Sequence, residues 1–212
     1  MKRQTKILFS VPNMGNITTE TSFAVAQLCQ RPDIRYIAVQ GQPIDQVRNR
    51  LMRHLLMDYE CTHILMLDSD VVPPDDIVDL LLECDAPIAS AIVPIMLQGA
   101  IVANVGKDSK FLVNWSGIDK PFDVDVCGAG CVLIRRDVAE TVPWPWFRDR
   151  EDKTQNSRIG EDVYFCHKAG KYGFTIKAHP DAVCGHLKRM NLLDVVRAVN
   201  AARQQRQEGQ VA

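Results

Sequence analysis

Ile64-Leu65-Met66-Leu67-Asp68-Ser69-Asp70 is a run of four apolar residues that ends abruptly in Asp-x-Asp, and Val71-Val72-Pro73-Pro74-Asp75-Asp76 follows it. Such a run reads as a buried strand that delivers two carboxylates to its carboxyl end. That edge is where open α/β sheets place their ligands. Residues i and i+2 of a strand share a side, so the alternation aims Asp68 and Asp70 at one ligand. Carboxylates held that close repel unless a cation lies between them. A hard divalent ion with oxygen ligands, Mg²⁺ or Mn²⁺, suits the pair, and such ions also hold substrate phosphates. The stretch therefore predicts a metal–diphosphate clamp. Solvated strand-end turns also carry Asp-x-Asp, so the rest of the chain has to decide.

Upstream, residues 6–11 form a short apolar run closed by Pro12-Asn13-Met14-Gly15-Asn16, a strand with its loop. Residues 19–29 have helical spacing, 34–39 read as a second strand, and Val47, Leu51 and Leu55 mark a helix over 45–59. The third strand spans 62–67. Pro73 and early acids open a helix over 73–82, and 86–95 return as a strand. This β-α-β-α-β-α-β order predicts a largely parallel sheet wound with helices. The second half is less regular. Residues 111–115 and 124–134 read as strands, 137–141 as a short helix, and Pro143-Trp144-Pro145-Trp146-Phe147 as an aromatic turn. Residues 148–158 are highly charged, lack any apolar side chain and read as a mobile loop. Residues 160–171 read as a helix stopped at Gly173, 174–178 and 182–184 as extended, and 191–205 as a terminal amphipathic helix.

Composition narrows the class. With 212 residues, 46% hydrophobic and 24% charged, the chain is expected to be one soluble α/β domain with a sizeable core. The formal net charge of −1 advertises no strong grip on nucleic acid or anionic membrane. The charge is uneven: residues 1–106 carry 8 basic and 12 acidic side chains, and 107–212 carry 17 and 14. A solvated surface accounts for that as well as a polyanion partner does. Seven Cys without a C-x-x-C fit reduced, mostly buried thiols in a reducing compartment, and Cys127-x₃-Cys131 lacks the second pair a zinc site needs. The basic start has too short an apolar run for a signal peptide. The uncharged stretch 86–106 contains Pro87, Pro94, Gln98 and Asn104 and does not read as a membrane span.

Three further features strengthen the clamp. Gly128-Ala129-Gly130 precedes the apolar run Cys131-Val132-Leu133-Ile134, and small residues allow a ligand or another backbone to come close. Gly160-Glu161-Asp162 places adjacent carboxylates at a helix start, where the helix end itself also favours acids. His186 ends the apolar stretch at Cys184-Gly185, and an imidazole is a competent ligand for a transition metal.

In this order, Phe9-Ser10-Val11-Pro12, Leu67-Asp68-Ser69-Asp70 with Pro73-Pro74, Gly128-Ala129-Gly130, Gly160-Glu161-Asp162 and His186 resemble the nucleotide-sugar-dependent glycosyltransferases of the GT-A fold. The likeness is to the family-2-like group, including small bacterial and phage members, and it covers residues 6–187. It implies a GT-A domain over 1–187, with a nucleotide-binding half at about 1–106 and an acceptor and catalytic half at about 107–187. Residues 188–212 are then a C-terminal helix and tail. It implies Pro12 and Asn13 at the nucleoside, and Asp68, Ser69 and Asp70 at the metal and diphosphate, with Asp68, Asp70 and His186 as metal ligands. It implies Gly128, Ala129 and Gly130 beside donor sugar and acceptor. The catalytic base falls on Asp162, with Glu161 as the alternate. Arg48, in an Arg48-Asn49 pair like that of the small relatives, is a phosphate or nucleobase contact or a surface helix residue. The cofactor is Mn²⁺ or Mg²⁺, the donor a nucleoside-diphosphate sugar with UDP expected, and the acceptor an unidentified hydroxyl. A saccharide, lipid-linked glycan, protein, small molecule or hydroxymethylated base in phage DNA all qualify. For DNA, Lys188, Arg189, Arg197, Arg203 and Arg206 are the expected phosphate contacts. The location implied is cytoplasmic, the host's if the chain is phage-encoded.

The chain departs from the family in lacking a Gln/Arg-x-x-Arg-Trp element after the base helix, so processive polymer synthesis is not expected. Residues 148–158 read as a lid over the donor or a surface excursion. Trp144 and Trp146 read as stacking platforms or core anchors. Two other classes compete: a nucleotidyltransferase, disfavoured because Val11-Pro12-Asn13-Met14-Gly15 has no Lys or Arg for a triphosphate, and a non-catalytic nucleotide-sugar or glycan-binding module.

Overall fold

The computed structural model describes residues 4–41, 43–97, 99–108, 110–152, 157–197 and 199–200. The first half supplies β1 (Ile7–Ser10), α1 (Thr19–Leu28), β2 (Ile34–Tyr36), α2 (Ile44–Met57), β3 (His63–Leu67), α3 (Ile77–Glu83) and β4 (Ile88–Ile92). The second half adds β5 (Phe122–Val124), β6 (Cys131–Arg135), α4 (Arg136–Thr141), α5 (Glu161–Lys171) and β7 (Ile176–Val183). These seven strands form one sheet in the order β5-β7-β4-β6-β3-β1-β2. Five of them run the same way. β6 is antiparallel to both its neighbours, β3 and β4, and β5 is antiparallel to β7.

The parallel winding expected of the first half is thus interrupted. β4 is not the neighbour of β3, because β6 from the second half enters between them. Buried on both faces, the apolar run of β6 reads like any central strand, and periodicity carries no information on direction or pairing.

Alternation along the strands splits the core in two. Ile64 and Met66 of β3 pack with Leu8, Val132 and Ile134 against Val47, Leu51 and Leu55 of α2 and Phe165 of α5. Leu65 and Leu67 pack with Ile7, Phe9 and Leu133 against Leu28 of α1 and Ile77 and Leu81 of α3. Each such fully buried aliphatic side chain contributes about 1.5–3 kcal/mol.

Several elements differ from the expectation. The span 124–134 is cut at Gly128–Gly130, leaving short strands before it and β6 after it. Residues beyond β4 turn into a hairpin, Pro94–Leu97 against Ala100–Ala103. The helix expected from Pro73 starts at Ile77, since Pro73 and Pro74 take up the approach. Residues 176–183 are one strand instead of two pieces. The charged stretch 148–158 is no structureless loop: Arg150–Asp152 pairs antiparallel with Ser157–Ile159, and residues 153–156 lie outside the described residues. Of the terminal helix, 192–197 and 199–200 are helical, and 201–212 lie outside the described residues. No helix among the described residues is long and apolar enough to cross a membrane.

Candidate functional site

The Asp-x-Asp residues are held by backbone bonds on both flanks. Asp68 N–H donates to Gly130 O at 2.8 Å, and Val71 N–H returns to Asp68 O at 3.1 Å, which makes 68–71 a turn. Thr18, the N-cap of α1, donates its N–H to Ser69 O at 2.9 Å, and Thr21 Oγ1 donates to Val71 O at 2.9 Å. The start of α1 is thereby stitched to the turn. Because the extended backbone stops at Leu67, the i, i+2 alternation does not reach Asp70. The two carboxylates consequently face different partners.

Asp68 turns to the α2 side of the sheet. Arg48 Nη2 donates to Asp68 Oδ1 at 2.7 Å and reaches Ala129 O at 3.5 Å, while Nη1 donates to Glu161 Oε1. The guanidinium carbon lies 6.0 Å from the centre of the Phe147 ring. Arg48 is 3% exposed, and its Nε is buried without a partner among the described residues. It is a clasp between β3 and the first turn of α5. The alternative of a surface helix residue is overturned by this burial.

Asp70 turns the other way. The short strand Gly185–His186 pairs antiparallel with Val71–Val72, with His186 opposite Val71, and Leu187 N–H donates to Asp70 O at 2.8 Å. His186 Nδ1 lies 2.7 Å from Pro94 O. A carbonyl only accepts, so Nδ1 carries a proton, and Nε2 is the nitrogen turned toward the site. It faces Asp70 Oδ2 at 3.5 Å. An imidazole nitrogen beside a carboxylate is a donor pair for a cation, and a backbone carbonyl on Nδ1 is the usual outer partner of a metal-ligating His. Lys188 Nζ also reaches Asp70 Oδ2, at 2.6 Å. Among the described residues no group of three or more His, Cys, Asp and Glu stands ready around one point. Asp70 and His186 therefore fit an ion that takes its remaining ligands from phosphate and water, as Mg²⁺ and Mn²⁺ do.

The opposite wall is the first turn of α5. Gly160 caps the helix, and its missing Cβ makes room for Asp162: a Cβ there meets Asp162 Oδ1 at 2.8 Å. That oxygen accepts from Val163 N–H at 2.7 Å, and Oδ2 faces Gly128. Gly128 and Gly130 stand close to Asp162 Oδ2 and Asp68 Oδ2, with Cβ positions 3.5 and 3.7 Å away. Asn104 holds this wall. Its Oδ1 accepts from Val93 N–H at 2.8 Å and its Nδ2 donates to Gly128 O at 3.2 Å. A cavity of about 130 Å³ opens between these parts, lined by Arg48, Asp68, Asn104, Asp162 and His186 among others. A larger groove of about 280 Å³, between α1 and Pro73–Asp75, lies away from the His186 and Asp162 walls.

A scan against family models finds no match for this chain, and no curated protein matches it. Solved structures do. The crystal structure of A197 from STIV superposes with a TM-score of 0.58 at 19% identity, covering 88% of this chain and 98% of that one. GalNAc-T7, crystallised with UDP, GalNAc and Mn²⁺, gives 0.59 at 9% identity over 88% of this chain and 44% of its own. The fold is GT-A-like. At these identities the likeness concerns the fold alone.

Within this GT-A-like frame the expected residues separate into groups. Arg48, Asp68, Gly128, Ala129, Gly130, Glu161, Asp162 and His186 line one cavity. Asp70 adjoins it through His186. Ser69 contributes its backbone to the α1 cap. Pro12 and Asn13 sit at the carboxyl end of β1, outside the cavity lining. The Asn13 amide bonds its own loop, donating to Val11 O and accepting from Gly15 N–H, both at 2.8 Å. Trp146 is buried in the core, and Trp144 is 60% exposed beneath Arg53. All seven thiols are free. Cys127 and Cys131 belong to opposite cores, so they do not face one ion. Asn104 and the contact of Lys188 with Asp70 were not expected. A lone Asn inside the apolar run 100–105 and the His186-x-Lys188 spacing are the signals that carried them. Arg203 and Arg206 lie outside the described residues, and Arg197 pairs with Asp194.

Proposed function

We propose that this chain is a metal-dependent glycosyltransferase that moves a sugar from a nucleoside-diphosphate sugar to a hydroxyl acceptor. One observation carries the reading: His186 Nε2, 3.5 Å from Asp70, faces, across a small cleft walled by glycines, a helix start that presents Asp162. Asp70 and His186 hold the ion, Mn²⁺ or Mg²⁺. When bound, it supplies a Lewis acid that neutralises charge on the departing diphosphate.

The protein side chains do the rest. Glu161 is committed to Arg48, which leaves Asp162 as the base. Asp162 Oδ2 takes the proton of the acceptor hydroxyl. The hydroxyl oxygen bonds to the anomeric carbon, and the bond from that carbon to the diphosphate breaks. Proton transfer of this kind contributes about 10²–10⁴-fold in rate. Arg48 keeps Asp68 and Glu161 in register, Gly128–Gly130 give the sugar room, and Pro12 and Asn13 border the nucleoside. The donor assigned is a UDP sugar, and the acceptor is any of the hydroxyl classes named above.

The test is calorimetry of ADP, GDP, CDP, UDP and TDP, each with and without Mn²⁺. Mn²⁺-dependent binding of one of them is expected and narrows the donor. Binding of none overturns the proposal and favours a module that does no transfer.

A further inference from the structure

We propose that Lys188 is the exchangeable cation of this site: it holds Asp70 in the ligand-free chain, is displaced when a divalent ion takes that carboxylate, and then pairs with the diphosphate that arrives with the ion. The inference rests on the glycosyltransferase reading above and assigns a role to a residue outside the clamp.

The backbone places Lys188 there. Gly185–His186 is zipped to Val71–Val72, and Leu187 N–H donates to Asp70 O. The Leu187 bond holds the chain beside Asp70 just past the strand, and His186 and Lys188 come to the same carboxylate. Both address Asp70 Oδ2, at 3.5 and 2.6 Å. His186 has a lone pair to offer an ion. An ammonium has three donors and no lone pair. A divalent ion on that oxygen brings two like charges within a few ångströms of each other, and the repulsion drives off the more mobile of the two, Lys188.

The two cations of the site differ in how readily they leave. Arg48 is buried, bonds two carboxylates and lies over the Phe147 ring, so it is fixed. Lys188 has a side chain 58% exposed and one partner, Asp70, among the described residues. Its four-carbon stem is flexible and its charge well hydrated. Leaving Asp70 costs it little in water. A diphosphate on the ion offers the freed ammonium new oxygens within the same reach.

The consequence is a sign difference. Lys188 opposes the ion when the ion comes alone and favours it when the ion comes with a nucleotide. Ion and nucleotide binding are then coupled, and by linkage each raises the affinity of the other equally. A site loaded with metal but no donor is disfavoured.

The experiment compares the full chain with Lys188→Met and Lys188→Arg. Mn²⁺ alone is titrated by the loss of the free-ion paramagnetic signal, and Mn²⁺ with the same five nucleoside diphosphates by calorimetry. Lys188→Met is expected to bind Mn²⁺ alone about two- to fivefold tighter, the scale of losing an exposed ion pair. It is expected to bind the Mn²⁺–nucleotide about tenfold or more weaker, the scale of a charge-assisted hydrogen bond. Lys188→Arg keeps the charge and stays near wild type in both. If the wild type binds and Lys188→Met shifts both affinities the same way, or neither, the Lys188 proposal falls and the transferase reading stands. If the wild type binds no nucleotide with Mn²⁺, both fall.

Discussion

Replacing Arg48 by Met tests the clasp between the Asp-x-Asp turn and the base helix. Met keeps an unbranched apolar stem beside Phe147 and deletes the guanidinium. What remains is Glu161, whose side chain is 13% exposed, and Asp68, at 32%, both without their countercharge. Removing one partner of a buried ion pair costs about 3–5 kcal/mol, because the other charge stays buried. Asp68 is close to a third open to water, so its share drops toward the about 0–1 kcal/mol of an exposed pair. Glu161 carries most of the loss. Against this stands the unpartnered Arg48 Nε, a desolvated donor that costs the wild type about 1–3 kcal/mol and vanishes in the variant. The net expectation is a loss of about 2 kcal/mol.

Urea unfolding at neutral pH reads this directly, as a lower midpoint with an unchanged slope. For a domain of this size the same loss lowers the thermal midpoint by about 4–8 °C. The decisive arm is the cycle with Glu161→Gln. In the double variant the carboxamide needs no countercharge, so Arg48→Met is expected to cost about 1–2 kcal/mol less there than in the wild-type background. A single variant within about 0.5 kcal/mol of wild type, the range of an ordinary surface substitution, refutes the clasp. So does additivity of the two changes.

Four further outcomes are expected. Asp162→Asn abolishes sugar transfer and spares Mn²⁺-dependent nucleotide binding in calorimetry; equal loss of both removes Asp162 as the base. Asp70→Asn weakens that nucleotide binding, and unchanged affinity takes Asp70 out of the clamp. Gly160→Ala puts a methyl group 2.8 Å from the present place of Asp162 Oδ1 and swings the carboxylate away; transfer falls while nucleotide affinity holds, and undiminished turnover contradicts the aim assigned to Asp162. His63 at the start of β3 is pushed down to about 4 by burial, with the nearby Arg135 charge adding to it. The unfolded chain takes that proton near pH 6.5, so His63 contributes stability that is full above about 6.5 and is lost as pH falls toward 4, up to about 3 kcal/mol. Urea midpoints between pH 7 and 4.5 should show this fall in the wild type and a flatter one in His63→Gln; equal slopes refute it.

What could be read in the sequence is what interrupts a pattern locally. Asp68 and Asp70 break an apolar run, Gly128–Gly130 break another, and His186 closes a third. Each interruption marks a strand end; Asp68, Gly128–Gly130 and His186 gather at one cavity, and Asp70 adjoins it through His186. The same logic reached β1, β3 and α2 within a few residues. It failed where a contact is distant in sequence. β6 reads as one more buried strand, yet its insertion between β3 and β4 is settled by pairing that no local pattern records.

Arg48 shows the limit most clearly. It lies on the apolar face of an amphipathic helix, with Leu51, Met52 and Leu55 at i+3, i+4 and i+7, yet its charge alone reads as a solvated surface residue. Its neighbours Val47, Leu51, Met52 and Leu55 are buried, and so is Arg48 itself. It can be buried only because Asp68, 20 residues on, and Glu161, 113 residues on, arrive at its two nitrogens. A buried cation is stable where countercharges meet it, and here all the countercharge comes from other elements. Lys188 is the converse: its neighbour His186 stands out as a strand-end imidazole, while the Lys looks like one of many tail charges until Asp70 is placed beside it. Carboxylates at strand ends stand out in the sequence, whereas their pairing with Arg48 and Lys188 becomes visible only through the fold.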